Sequence, residues 1–547
     1  MRRLLLLQPP VQDFYQTDVR LQPLGLAYLK AAVARALPEV QVTLHDFHHG
    51  HGRRTIPLPA ELAYLRDYYP YPDRSPFSTF HAYYHFGASF DALGETVAAA
   101  APDLVGISCL FTPYYRETLR AAEAIKARRP ETRILVGGAH VSATPEPMLR
   151  HSAVDYVIRG EGEGPVVELL RALRDGSPLE RVPSLGFKRE GVPVLNALGE
   201  GLPLDALPVP DLSELPLARY RLGGRPLCFL LTSRSCPHRC SFCSVHTTFG
   251  PHYRRRSVEH VLEELRLRHA QGYRAIDFED DNLTFYLDEM KELCRRLIDT
   301  FPPGELELCA MNGISYLSLD DELLELLRRA GFSQLNLSLV SSDTAVREST
   351  KRPHTAYKLV RVVERAHALG FGLVAYQILG LPGESPESML QTLAFLARLP
   401  VLLGASPFYL TPGSPIAAAL PPQSEADLVR ARLSAMAIES PEVPREALYT
   451  LFVATRLLNF LKGQRFDEPE LPLAELARRA EAKRDAKDGG RTALGFELLA
   501  RLARDGVLYA ATPDGLKPLP RFDAALFSRL WSRLERVVTQ AGQVIRL

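Results

Sequence analysis

Little in this 547-residue sequence stands out at a distance. It has one tryptophan, six methionines and seven cysteines. Its charges nearly cancel, 65 basic residues against 64 acidic, so no strong field favours nucleic acid, acidic substrates or a membrane surface. No apolar run reaches a membrane span: Leu393 to Leu410 is broken by Arg398 and Pro400. The opening Met1-Arg-Arg-Leu-Leu-Leu-Leu-Gln is cut by Pro9-Pro10 too early for a signal peptide. No G-x-G-x-x-G follows the first apolar segment, which disfavours a dinucleotide. Internal repeats and low-complexity tracts are also missing. What remains, 46% hydrophobic and 24% charged residues, is the composition of a globular chain of two to four domains. The sparse cysteines fit a reducing cytoplasm.

Three of those cysteines are clustered. Thr232-Ser-Arg-Ser-Cys236-Pro-His-Arg-Cys240-Ser-Phe-Cys243 places thiols at C-x3-C-x2-C spacing directly after the apolar run Leu227–Leu231. Thiolates are the soft ligands of iron–sulfur clusters. Three on one tight loop can hold three irons of a [4Fe–4S] cube and leave the fourth open to bind and activate something. The alternative is a zinc ion held with His238 or His246, although structural zinc sites usually pair two separated knuckles. Cys109, Cys228, Cys294 and Cys309 stand in apolar segments as small buried hydrophobes.

Residues 1–175 alternate apolar strands with helices. Strands are expected at Arg3–Gln8, Val40–Phe47, Asp103–Leu110, Arg133–His140 and Val154–Glu161, which predicts a doubly wound α/β domain. Ligands of such sheets lie beyond the carboxyl ends of the strands, here Pro9-Pro10, Ser108, Gly137-Gly138 and Gly160-Glu161. Small residues there suit a large flat ligand, although glycine at strand ends is also ordinary turn chemistry. The histidines His45, His48, His49 and His51 read as a polar loop, with a metal contact as the alternative. The aromatic crowd from Tyr64 to Phe86 reads as a satellite cluster under a long loop, or as a cap over a ligand.

Residues 176–226 read as a linker, with a hairpin turning near Glu190-Gly191. From 227 to 420 the βα rhythm returns. Strands at Cys228–Thr232, Arg274–Phe278, Glu307–Ala310, Gln334–Ser338, Gly372–Ile378 and Ser406–Leu410 make a partial (β/α)6 barrel the economical closure. Its strand ends carry Glu279-Asp280-Asp281-Asn282 and Gly380-Leu-Pro-Gly383-Glu384. Acidic residues directly after a buried strand are costly unless they bind something or reach water. They suit an ammonium group or sugar hydroxyl.

The cysteine loop resembles the cluster motif of the radical S-adenosylmethionine (SAM) superfamily. Tyr253-Arg-Arg-Arg-Ser257, Glu279-Asp-Asp-Asn, Gly380-Leu-Pro-Gly-Glu384 and Pro412-Gly-Ser-Pro resemble the branch that carries an N-terminal cobalamin-binding domain. Asp103-Leu-Val-Gly-Ile-Ser, Val136-Gly-Gly-Ala-His140 and Asp155 to Glu163 resemble that domain itself, so the likeness spans roughly residues 1–420. The resemblance implies that Cys236, Cys240 and Cys243 bind a [4Fe–4S] cluster whose open iron chelates SAM. Reductive cleavage of SAM then gives a 5′-deoxyadenosyl radical, and cobalamin delivers a methyl group to carbon. By position it implies SAM contacts from Phe242, Glu279, Asp280, Asp281, Ser338, Gln377 and Gly380. It likewise implies cobalamin contacts from Pro10, Ser108, Thr112, Gly137, Gly138, Gly160 and Glu161. Two departures stand out: Val340 occupies a position where many relatives carry glutamate, and the D-x-H-x-x-G loop that gives cobalt a histidine is missing.

Residues 421–547 read as mainly helical, over Ala426–Met436, Arg445–Lys462, Leu473–Lys483 and Phe522–Val538, packing on the open side of the barrel. The resemblance implies a methylase of a small biosynthetic molecule, served by an electron donor such as flavodoxin or ferredoxin. Alternatives are a non-methylating cyclisation, rearrangement or oxidation with the same cofactors, a methylthiotransferase, and a non-catalytic cobalamin-binding module. Nothing suggests a nucleic-acid partner.

Overall fold

The computed structural model describes residues 2–15, 21–485 and 489–547. Five parallel strands form the first sheet: β1 (Arg3–Gln8), β2 (Gln41–Asp46), β3 (Leu104–Ser108), β4 (Arg133–Gly137) and β5 (Tyr156–Ile158). The hairpin expected in the linker belongs to this sheet. Its strands β6 (Leu185–Arg189) and β7 (Val192–Leu195) continue the edge, giving the order β7-β6-β5-β4-β3-β1-β2 with β6 antiparallel to β5. The physical reason is burial: Leu185 and Phe187 find a core only by extending the sheet past β5. The first domain therefore reaches past residue 175.

Six further parallel strands form the partial barrel: β8 (Arg225–Leu230), β9 (Ala275–Phe278), β10 (Glu307–Cys309), β11 (Gln334–Val340), β12 (Gly372–Leu379) and β13 (Leu402–Pro407). Hydrogen bonding divides them into two runs of three, β8-β9-β10 and β11-β12-β13. The isolated bridges Leu308–Phe332 and Ile314–Leu337 join the runs. The last strand begins four residues earlier than expected. Phe408 and Leu410, which look like strand residues, pack instead into a separate apolar cluster. The outer helices start where the sequence supplies an oxygen: Ser257, Asp320, Thr355 and Ser385 each accept a first-turn backbone N–H.

The helix Arg445–Lys462 closes the open side of the barrel. Asn459 accepts from Leu403 N at 2.9 Å and donates to Leu403 O at 2.8 Å, satisfying the free edge of β13. The buried Lys462 ammonium donates to the carbonyls of Ala397, Leu399 and Val538. The aromatic crowd packs on this helix and on the turn before it: Phe80 stacks on Phe452 and Tyr69 meets Tyr449, while Tyr64 donates to Ala435 O at 2.6 Å. Most of these rings belong to the main core and not to a satellite cluster. The C-terminal region also contains helix Gly489–Asp505 and a small sheet of Glu470–Pro472, Arg536–Val538 and Val544–Arg546. The last expected helix is shorter, Ala524–Trp531. No helix among the described residues is long and apolar enough to cross a membrane.

Candidate active site

The cysteine loop leaves the carboxyl end of β8 and is held from three sides. Ser241 N donates to Thr350 O at 3.0 Å, Ile416 N donates to Ser241 O at 2.9 Å, and His246 Nε2 donates to Cys236 O at 2.8 Å. All three thiols are free: Cys236 half-buried, Cys240 buried and Cys243 exposed. A cavity of about 180 Å³ opens against Cys240 and Cys243, with His238, Arg239 and Lys351 around it. Burial raises the thiol of Cys236; Cys243, open to solvent at its surface, still lies deep within the surrounding protein, and that desolvation pushes its thiol up to about 11.

This donor set fits an iron–sulfur cube better than a single ion. Among the described residues no three His, Cys, Asp or Glu side chains converge as one ion requires. His246 is committed to the Cys236 carbonyl, and His238 packs edge-on against His354 and Phe285, so neither is placed as a fourth zinc ligand. Two sulfurs also receive N–H groups from side chains. Asn282 Nδ2 stands 3.7 Å from Cys236 Sγ, and Arg352 Nη1 stands 3.6 Å from Cys240 Sγ. Donors to the sulfurs are the supporting contacts such clusters use.

The residues expected to touch SAM divide into two groups. Glu279, Asp281 and Ser338 stand at the barrel mouth. Glu279 accepts from Asn312 Nδ2 at 2.8 Å. Asp281 is solvent-open yet deep within the surrounding protein; burial and the adjacent Asp280 carboxylate push it up to about 7. A Cβ on Gly313 (φ 104°) would come within 2.4 Å of Ser338 Oγ, so this glycine opens the strand end. Others have structural partners. Asp280 accepts from Thr232 N at 3.1 Å, from Thr232 Oγ1 at 2.7 Å and from Ser233 Oγ, so its buried carboxylate orders the approach to Cys236. Phe242 packs beside Val340, Leu381 and Phe408.

Gln377 is a correction. It is 1% exposed and its Nε2 points to Met389 O, 3.5 Å away in the outer helix, because alternation along β12 turns Tyr376 and Ile378 inward instead. Gly380 donates its N–H to Glu384 at 3.0 Å, and its open side faces Leu448 of the closing helix.

At the first sheet, a Cβ on Gly137 would meet nothing nearer than Ile158 O at 3.9 Å, whereas one on Gly138 (φ 118°) would strike Cys109 O at 2.5 Å. Leu110 and Phe111, both 46% exposed, present apolar surface just beyond Ser108. Open strand ends beside exposed apolar side chains fit a large flat ring. Pro10 is buried at the end of β1, and Thr112 is bound to His140 Nδ1 at 3.2 Å. His140 is itself buried, and desolvation depresses it to about 4.

The two strand-end surfaces meet. A Cβ on Gly160 (φ 73°) would stand 3.3 Å from Thr248 O, just after the cysteine loop. Thr247 Oγ1 donates to Gly413 O at 2.9 Å. Glu161, expected beside cobalamin, accepts from Arg234 and Arg254, while Glu163 accepts from Arg234 at 2.5 Å. In the histidine run, Asp46 accepts from the backbone N–H of His48 at 2.8 Å and of His49 at 3.2 Å. Sequence reasoning missed Asn282 and Arg352 as partners of the sulfurs. Asn282 was visible in the acidic run, but Arg352 is 112 residues from Cys240 and gave no local signal.

Comparison with known proteins agrees with this geometry. Residues 230–396 match the radical SAM superfamily and residues 81–170 match the B12 binding domain. An uncharacterized methyltransferase of Pyrococcus horikoshii is 28% identical over 317 residues, 57% of this chain and 68% of that protein. The cytidylyl-2-hydroxyethylphosphonate methyltransferase of Streptomyces wedmorensis is 26% identical over 429 residues, 71% and 76% respectively. The anaerobic magnesium-protoporphyrin IX monomethyl ester cyclase of Synechocystis is 25% identical over 280 residues, 48% and 52%. Among solved structures, the cobalamin-dependent S-adenosylmethionine radical enzyme OxsB has the same fold, with a TM-score of 0.60 at 13% identity over 98% of this chain and 84% of that one.

Proposed function

We propose, for a chain that belongs to the radical SAM enzymes with a B12-binding domain, that it transfers a methyl group from SAM to a carbon atom of a small molecule. One observation carries the reading: the carboxyl ends of the two sheets face each other, with Gly160 against Thr248 and Arg234 bridging to Glu161 and Glu163. A group on the first sheet then shares one chamber with a group on the cysteine loop.

When bound, a [4Fe–4S] cluster, SAM and cobalamin supply the electron chemistry and the transferable methyl group. The protein's part is placement. Cys236, Cys240 and Cys243 hold three irons and leave the fourth open. Glu279 and Asp281 offer carboxylates to the SAM amino group, and Ser338 offers a hydroxyl beside the space that Gly313 leaves. Gly137, Leu110 and Phe111 receive the flat face of cobalamin. The helix Arg445–Lys462 and the aromatic segment from Tyr64 to Phe86 close the remaining side against water.

The likeness to the cyclase favours a second reading, in which the same groups serve a reaction without methyl transfer. Anaerobic incubation with methyl-labelled SAM and a small-molecule extract of the native host separates the two. Methylation puts label into one metabolite; a cyclase or oxidase product carries none.

A further inference from the structure

Arg352 is a cation without a carboxylate. Its Nη2 donates to Ser338 O at 2.7 Å, and its Nη1 stands 3.6 Å from Cys240 Sγ. Among the described residues no Asp or Glu lies within ion-pair distance of it. The other groups around it, His238, His354 and Tyr316, bring it no negative charge. A half-buried guanidinium in such company needs an anion. The anion within reach is the sulfur of Cys240, which becomes a thiolate once it binds iron.

The backbone aims this contact. Arg352 follows Lys351, whose φ of 53° turns the chain back toward the cysteine loop. Its second N–H pair anchors on Ser338, where the pairing of β11 with β12 shifts register before Val340. One planar guanidinium therefore spans the barrel strand end and the cysteine ligand, a geometry lysine cannot reproduce.

We propose that Arg352 is a positioning residue that raises the reduction potential of the cluster. Its hydrogen bond and positive charge stabilise the sulfur of Cys240 more when the cluster has gained an electron than before. The step affected is the uptake of one electron from an external low-potential one-electron donor, which leaves the cluster one unit more negative. The inference rests on the cluster reading of the three cysteines.

The test is a redox titration of the reconstituted wild-type protein, R352K and R352Q, poised with dithionite and followed by the electron paramagnetic resonance of the reduced cluster. No substrate or turnover is needed. At the potential where half of the wild-type cluster is reduced, R352Q should show a ratio of reduced to oxidised cluster about tenfold lower, equivalent to 59 mV for a one-electron couple. R352K, which keeps the charge, should fall between. Arg266→Gln, which removes an exposed charge paired with Glu259 on the outer helix that starts after Ser257, should stay at the wild-type value. R352Q with full iron content and an unchanged potential overturns the proposal. So does loss of the cluster from R352K and R352Q alike, which would make Arg352 a folding residue of the loop. A wild-type chain that takes up no iron refutes the cluster reading itself, a different outcome from an intact cluster at unchanged potential.

Discussion

Arg234 donates to Glu163 at 2.5 Å, with both side chains less than a tenth exposed. Arg234 lies two residues before Cys236, and Glu163 opens the helix that follows β5, so this pair ties the cysteine loop to the B12-binding sheet. Glu161 and Arg254 complete a four-membered network across the domain boundary.

Breaking that network from one side should be severe. Arg234→Met leaves Glu163 buried and unpaired, at a cost of about 3–5 kcal/mol. Urea denaturation should show that loss, and adding Glu163→Gln to the same chain should recover part of it. A loss under about 1 kcal/mol in the single variant would contradict the pairing.

Val340 is strained. It has φ 79°, in the left-handed region that a β-branched residue rarely enters, and it is 5% exposed against Phe408 and Leu381. Val340→Gly releases about 1–3 kcal/mol of strain but forfeits a comparable amount of burial, so its net stability change should be small. Leu337→Ala, on the same strand and fully buried, should cost about 2–5 kcal/mol. Denaturation midpoints of the two variants make the comparison. A Val340→Gly loss as large as that of Leu337→Ala would mean the backbone there is unstrained.

Asp281 sets a pH dependence. Its carboxyl is pushed up to about 7, so it is neutral below that pH and ionised above. Accepting N–H bonds from the SAM amino group favours the ionised form. SAM affinity should therefore rise as pH increases, by about tenfold between pH 6 and pH 8, and then level off. Equilibrium binding of SAM to the reconstituted protein measures this. Asp281→Asn should bind more weakly and lose the dependence over that range; an unchanged pH profile in this variant would assign the titration to another group.

Much of this was legible because the signals were local. The C-x3-C-x2-C spacing placed the loop, and β1 and the helix Arg445–Lys462 carry unbroken patterns. What escaped depends on distant partners. The hairpin Leu185–Leu195 looks the same in a linker as at a sheet edge until β5 is beside it. Gln377 is a SAM contact only by its position in the resembling motif, and period-two alternation turns it toward the outer helix. The C-terminal sheet is built from three-residue strands, too short for any periodicity. Glu161 and Asp280, expected to contact cobalamin and SAM, have partners within the protein instead. Their carboxylates are held by Arg234, Arg254, Thr232 and Ser233, all contributed by the stretches that flank the cysteines.

The most direct test of the two-group chamber needs no substrate. Protein reconstituted anaerobically with iron, sulfide and cobalamin is given a low-potential reductant and SAM carrying a deuterated methyl group, and the bound corrin is then released and weighed by mass spectrometry. Methylcobalamin bearing the deuterated methyl, formed by the wild-type chain, is the predicted result. A corrin that stays bound but unlabelled while SAM is consumed, or a chain that retains no corrin at all, would contradict it.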